Sequence, residues 1–264
     1  MGFDFNGQRI LVTGASSGIG AALAEALAQR GAVVGVCARR EDRLAETLDR
    51  CRRYSPDSRM WVCDLADPPE VDRLAGEVTE EFGGIDVLVN NAGIPKRRHV
   101  TKLDADTVTR VMAINYLSPV RLTLALLPSM VERGFGRIVN ISSVAAVLSS
   151  PGEAAYDGSK AALSAFSEAM AIDLWESGVK VLVVYPGVID TELFTLPDND
   201  PLVAGVDAIP ASEVAGAVID GLDNDLHQVY VPSYFADFVS VKSSDLAGFM
   251  AGAAEYVRQA KETG

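Results

Sequence analysis

Hydrophobic positions in this chain fall into two alternating patterns. Short unbroken apolar runs, rich in β-branched residues, occur at Arg9-Ile10-Leu11-Val12-Thr13, Ala32 to Ala38, Met60-Trp61-Val62-Cys63, Ile85-Asp86-Val87-Leu88-Val89, Arg137-Ile138-Val139-Asn140-Ile141 and Val179 to Tyr185. Runs of this kind read as strands buried on both faces. Between them, Ala21 to Gln29, Leu44 to Arg53, Asp67 to Phe82, about Asp104 to Glu132, and the segment from Gly152 onward carry strong helix formers at helical spacing. Gly31 stops the first helix, and Gly134 with Gly136 close the long one. Asp67 with Glu70 forms a capping signal, and Pro68 suits a helix start. Strand and helix alternate throughout, which predicts an α/β fold with a parallel sheet covered on both faces. No linker or low-complexity segment divides the chain.

Composition narrows this picture. The 264 residues, 48% hydrophobic and 22% charged, suit one large domain with a full core. A formal net charge of −13 argues against a nucleic-acid partner. Cys37, Cys51 and Cys63 have no metal-ligand spacing, and their odd number argues against a disulfide framework, so no metal and a reducing compartment are expected. The N-terminus lacks the basic start and apolar core of an export signal, Asn6 departs from the myristoylation pattern, and no uncharged apolar run approaches a membrane span. The expectation is a soluble, cytoplasmic protein.

The candidate chemistry lies where predicted strands end. Between the first strand and helix stands Gly14-Ala15-Ser16-Ser17-Gly18-Ile19-Gly20. Glycines there let the backbone turn tightly and approach a pyrophosphate, whose charge is held by the amides and dipole of the helix N-terminus. The second strand ends in Ala38-Arg39-Arg40, where an NAD-type site would place an acid on the ribose 2′-hydroxyl. Arginine suits a 2′-phosphate instead, so NADP(H) is favoured over NAD(H), with Arg39 leading and Arg40 assisting. Glu41 and Asp42 follow at once, and Ser17 supplies no second positive charge from the glycine loop. Asp64, directly after its strand, is placed to meet the adenine edge.

Tyr156 and Lys160 stand four residues apart on one helical face. A neighbouring ammonium favours the phenolate, so Lys160 should draw the Tyr156 pKa down from ~10 and make it an acid or base. A drop of about three units needs roughly 4 kcal/mol, which calls for a second positive charge or a dry site. An oxidised nicotinamide would supply that charge. His99 and His227 have no supporting constellation.

In chain order, Thr13-Gly14-x-x-x-Gly18-x-Gly20, Asn90-Asn91-Ala92-Gly93, Asn115, Ser143, Tyr156-x-x-x-Lys160 and Pro186-Gly187 resemble the classical short-chain dehydrogenases/reductases over about residues 7 to 232. The resemblance implies a single Rossmann-type doubly wound domain with a mostly parallel seven-stranded sheet in the order 3-2-1-4-5-6-7, followed here by a C-terminal helical extension over about 233–264. It implies that Tyr156 is the proton donor or base, that Ser143 holds the substrate oxygen, that Lys160 lowers the Tyr156 pKa and bonds the nicotinamide ribose, and that Asn115 supports a water relay to Lys160. Gly14, Ser16, Ser17, Gly18, Ile19 and Gly20 would lie along the pyrophosphate, and Asp64 and Leu65 at the adenine. Asn91, with Ala92 and Gly93, would lie near the adenine ribose. Ile189 and Thr191, after Pro186 and Gly187, would hold the carboxamide. Ser142 adjoins Ser143, but strand alternation lets only one of them reach the site. A homodimer or homotetramer through the Asn115 and Tyr156 helices is also implied.

The function this points to is an NADP(H)-dependent oxidoreductase acting on a carbonyl or secondary alcohol of a hydrophobic small molecule. A non-catalytic dinucleotide-binding redox sensor or scaffold and an NAD-dependent alcohol dehydrogenase are the alternatives. A dehydratase or epimerase is disfavoured by the short segment after Thr191. Beyond Val231-Pro232, Leu246, Phe249, Met250, Ala253 and Val257 form an apolar stripe, with Tyr234, Phe235 and Phe238 upstream. This tail is expected to pack near a Thr191–Pro210 lid containing Pro197, Pro201, Gly205 and Pro210, as a pocket wall or an intersubunit contact.

Overall fold

The computed structural model describes residues 2–194, 196–201 and 207–263. Seven strands form its main sheet: β1 (Arg9–Thr13), β2 (Val33–Ala38), β3 (Arg59–Val62), β4 (Val87–Asn90), β5 (Gly136–Ile141), β6 (Val179–Pro186) and β9 (Gln228–Val231). The spatial order is β3-β2-β1-β4-β5-β6-β9, the expected 3-2-1-4-5-6-7 once the separate two-residue pair β7 (Ile189–Asp190) and β8 (Ile209–Pro210) is set aside. Every pairing is parallel; β1 lies between β2 and β4, with Val12 opposite Val36 and Val89.

Alternation along each strand feeds two cores. Ile10, Val12, Val34 and Val89 face one side, packed against α1 (Gly18–Gln29), α2 (Glu41–Arg52) and α8 (Ala211–Asp223) through Leu23, Leu27, Leu44 and Val218. Leu11, Leu88 and Ile138 face the other, against α3 (Pro68–Phe82), α5 (Ser118–Glu132) and α7 (Ala154–Asp173) through Leu74, Leu122, Met130 and Met170. Two-sided burial is the reason these strands read as continuous apolar runs.

Two local expectations, the unbroken long helix and the Asp67 cap, are corrected. The long helix is interrupted: α4 (Ala105–Met112) passes through a π turn at Ala113–Leu117 before α5 begins. Asp67 occupies the N-cap of α3 without a side-chain capping bond, because Glu70 instead accepts from the Asp64 amide at 2.7 Å. The C-terminal stripe is only half covered. Helix α9 (Phe235–Ser244) buries Phe235 against Gly187, and its Lys242 donates to the Val147 carbonyl at 2.5 Å in α6 (Ala145–Leu148). Helix α10 (Leu246–Thr263) packs on α9, leaving Leu246 and Met250 exposed.

Among the described residues, one helical stretch, Ala105–Glu132, is long and apolar enough to cross a membrane. Its buried apolar residues pack on α3, α7 and the sheet, while Leu117, Leu124 and Val131 stay exposed.

Candidate functional site

The C-terminal ends of β1, β2, β4, β5 and β6 open onto one cleft of about 390 Å³. Open parallel sheets bind ligands at this edge because the crossover helices leave a crevice where the strand order reverses. Its lining includes Gly14, Ser16, Ser17, Gly18, Ile19, Arg39, Arg40, Asp64, Leu65, Asn91, Ala92, Gly93, Ser143, Tyr156, Lys160, Pro186, Gly187, Ile189 and Thr191. Asn115, fully buried, sits behind that wall.

The glycine turn is built without room for side chains. Gly14 has φ +67°, and a Cβ there would stand 2.7 Å from the Ala92 Cα. A Cβ on Gly20 would stand 2.5 Å from the Asn91 side-chain nitrogen. That nitrogen donates to the Thr13 carbonyl at 2.9 Å, while the Thr13 hydroxyl receives the Asn91 and Ala92 amides at 3.0 and 3.1 Å. Asn91 therefore locks the β1 and β4 ends together. Ser17 begins α1 with no side-chain cap, so no hydroxyl of its own takes the first-turn amides, as an anion at that end requires.

The two arginines divide. Arg39 is 54% exposed and reaches Asp64 only at 4.0 Å. Arg40 spans the mouth of the turn, donating to Ser17 Oγ at 2.7 Å, Ser16 Oγ at 3.2 Å and Glu192 Oε2 at 2.8 Å. Arg43 also donates to Glu192. Neither Arg43 nor Glu192 stands out in the sequence; they are 149 positions apart, and only the fold makes them neighbours.

At the other end lies the acid–base group. Lys160 is 4% exposed, and its Nζ donates to the Ile141 carbonyl at 2.8 Å. Burial lowers its pKa to about 8. Asn115 accepts the Ile94 amide at 2.8 Å and donates to the Ile94 carbonyl and Ser159 Oγ, both at 3.0 Å. The π turn supplies the extra residue that aims this side chain inward, a common use of such turns. A Cβ on Gly93 would touch both Asn115 Oδ1 at 3.3 Å and Lys160 Nζ at 3.4 Å, so the two groups border one gap without bonding each other.

Ser143 lines the cleft with Tyr156 and favours the ionised phenol; its Oγ accepts the Ala145 amide at 3.1 Å and donates to the Pro186 carbonyl at 3.5 Å. Ser142 lines the cleft as well, but its Oγ is committed to the Lys160 carbonyl at 3.2 Å and Ser164 Oγ at 2.7 Å.

The expected lowering of the Tyr156 pKa is not what this geometry gives. Burial pushes the phenol well above its usual range, Ser143 opposes that, and Glu153 and Asp157 add to it. The Lys160 ammonium stands 5.9 Å from the ring centroid and is bonded to a carbonyl, so desolvation wins.

Asp157, beside Tyr156, is itself raised to about 7, first by burial, against the Ser150 amide that it accepts at 2.7 Å. A raised carboxyl binds its proton more tightly folded than unfolded, so stability falls as pH climbs from about 4 towards 7. Asp157→Asn should therefore raise Tm at pH 8 by several degrees and leave it nearly unchanged at pH 4.5, read by thermal melts at the two pH values.

The lid root lies on the turn: Thr191 Cγ2 is 3.0 Å from where a Gly18 Cβ would stand. Further along, Asp198 pairs with Lys96 at 2.6 Å and with Arg98. The Arg97 amide donates to Asn199 Oδ1 at 2.8 Å, and Arg97 Nε to the Asp200 carbonyl at 2.9 Å. This pinning of the lid by the basic run after Gly93 was not legible in the sequence. Gly205 falls outside the described residues.

Residues 8–200 match the family described as short chain dehydrogenase. The chain is 40% identical to Dehydrogenase/reductase SDR family member 7B of Mus musculus over 188 residues, which are 70% of this chain and 58% of that protein, less than two thirds of its length. It is 34% identical to the 3-oxoacyl-(acyl-carrier-protein) reductase FabG of Vibrio cholerae over 222 residues, covering 81% of this chain and 89% of that one. A solved structure of a variant actinorhodin polyketide ketoreductase with NADPH superposes with a TM-score of 0.79 at 30% identity, covering 89% of this chain and 99% of the other.

Proposed function

The chain belongs to the short-chain dehydrogenase family, and on that premise we propose that it is an NADP(H)-dependent oxidoreductase acting on a carbonyl or secondary alcohol of a small hydrophobic molecule. The observation that carries this reading is that Ser143, Tyr156 and the buried Lys160 line the same cleft as the glycine turn that begins at Gly14.

The residues present fit a dinucleotide. Backbone would meet any Cβ on Gly14, an uncapped helix start faces the same cleft, and two arginines stand at the end of β2. When bound, the cofactor supplies or accepts the hydride. Ser143 holds the substrate oxygen beside the Tyr156 hydroxyl. Tyr156, kept protonated by burial at neutral pH, gives its proton to that oxygen as it becomes an alkoxide. Lys160, cationic below about pH 8, holds the nicotinamide ribose and stabilises the phenolate that results. Asn115 fixes the backbone at Ile94 and borders the gap through which a proton reaches Lys160.

The 2′-phosphate reading rests on Arg40, with Arg39 and Arg43 nearby. Removing one charge-assisted contact costs about 1.5–3 kcal/mol, so Arg40→Ala should weaken NADPH roughly ten- to hundredfold and leave NADH within about twofold. Arg39→Ala should have the smaller effect, given its exposure. Side-by-side fluorescence titrations decide it, and tighter wild-type binding of NADH would assign the chain to the NAD-dependent alternative. A panel of carbonyls and alcohols followed by NADPH absorbance separates an enzyme from a redox sensor.

Exposed Leu117, Leu124 and Val131 on the α4–α5 rod, with Ile172 and Trp175 at the end of α7, support assembly with a second copy as a homodimer or homotetramer. The three cysteines are buried and unpaired, which supports a cytoplasmic setting. The packing of Phe235 on Gly187, which lines the cleft, supports reading helix α9 as a backing for the substrate end.

A further inference from the structure

We propose that Glu192 is an intramolecular stand-in for the cofactor's 2′-phosphate, and that its displacement couples cofactor choice to the position of the lid. This rests on the reading that the cleft takes NADP(H), and it adds a residue that opposes that cofactor.

The argument begins with what Glu192 occupies. Its two carboxylate oxygens each take a guanidinium, Oε2 from Arg40 at 2.8 Å and Oε1 from Arg43. Arg40 turns its remaining nitrogens to Ser17 Oγ at 2.7 Å and Ser16 Oγ at 3.2 Å. Two guanidiniums, one of them braced by two hydroxyls, thus form a socket for an oxyanion at the end of β2, and the anion filling it comes from the same chain. Arg40 and Arg43 hold the Glu192 pKa below the usual carboxylate range, so the group stays charged near neutral pH.

The second observation is where Glu192 sits in the chain. It begins the single turn Glu192–Phe194, directly after Thr191, whose methyl group rests on Gly18 of the glycine turn. The same segment runs on to the Asp198 pairs with Lys96 and Arg98. The Glu192 contacts therefore fasten the root of the lid to α2, across the cleft.

A phosphate monoester brings nearly two negative charges and three acceptor oxygens, against one charge and two oxygens for a carboxylate. It can take the socket from Glu192. The neutral 2′-hydroxyl of NAD(H) cannot, and with that cofactor the carboxylate stays paired. Both arginines and Glu192 are 42–47% exposed, so the displaced pairs are individually weak, and the exchange shifts affinity without blocking it. NADP(H) loading then frees the lid root, while NAD(H) loading leaves it fastened.

Glu192→Gln tests this, at an exposed position where folding is not at stake. Fluorescence titration of the free enzyme should show NADPH binding three- to tenfold tighter than wild type and NADH changed by less than twofold. Limited proteolysis of wild type should be faster within 192–201 with NADPH than with NADH, and in the variant it should be fast with either. Unchanged or weakened NADPH binding in Glu192→Gln, alongside a clear NADPH loss in Arg40→Ala, would overturn the stand-in while leaving the NADP(H) reading intact. Indifference of NADPH binding to Arg40→Ala would instead remove the reading on which the inference rests.

Discussion

Tyr156→Phe should lower turnover by about a thousandfold while the Kd for the dinucleotide stays within about threefold. The ring, its packing and its place on α7 survive; only the hydroxyl is removed. General acid–base groups contribute ~10²–10⁴ in rate, and among the described residues this site holds no second group with both the reach and the supporting contacts to substitute. The raised pKa of Tyr156 gives a further expectation for the wild type. Carbonyl reduction needs the protonated phenol and should be flat with pH through neutrality, whereas alcohol oxidation needs the phenolate and should climb. Steady-state rates in both directions across pH 6–9 check this. A Tyr156→Phe protein retaining a third of wild-type turnover on its own substrate would remove Tyr156 from the proposed role.

Lys160→Met should separate activity from stability. Turnover should fall by about a hundredfold or more and NADPH should bind roughly tenfold more weakly, because the ammonium placed for the ribose and for the Tyr156 phenolate is gone. Stability should move the other way, or not at all. Lys160 is buried, and its folded pKa of about 8 lies below the ordinary 10.5, so the folded chain binds its proton less tightly than the unfolded one. The charged form therefore costs stability at neutral pH, on the order of a few kcal/mol, and that cost is relieved as pH rises from about 8 to 10.5. Methionine carries no charge to desolvate, although it leaves the Ile141 carbonyl without the Lys160 donor, a loss of about 1 kcal/mol. Denaturant titrations at pH 7 and pH 10 should show the variant at least as stable as wild type at pH 7, with the wild-type rise between the two pH values absent. A variant that loses several kcal/mol at pH 7 would show that the ammonium supports the fold, and that its functional cost cannot be read separately.

What the sequence determined by itself is what depends on local period and on residues close in the chain. Continuous apolar runs at Ile10 to Val12 and Val87 to Val89 could only be strands covered twice, and strand–helix alternation then required parallel crossovers. The glycine turn was legible because Gly14 and Gly20 belong to a strand–turn–helix unit, and Tyr156 with Lys160 because four residues is one helical turn. Even there, local signals failed where a longer-range partner competed. Glu70 left the predicted cap for the Asp64 amide, and the helix around Asn115 opened into a π turn that brings its side chain to Ile94 and Ser159. The sign of the Tyr156 pKa was beyond the sequence, since spacing shows that an ammonium is near but not that the phenol is desolvated and the ammonium bonded elsewhere. Arg40 rather than Arg39 at the glycine loop, Arg43 and Arg40 on Glu192, and the basic run after Gly93 on Asp198 were likewise decided only by the tertiary fold. Those pairings join residues about a hundred or more positions apart, or turn on which way one side chain points, and only packing of the sheet edge against the lid fixes either.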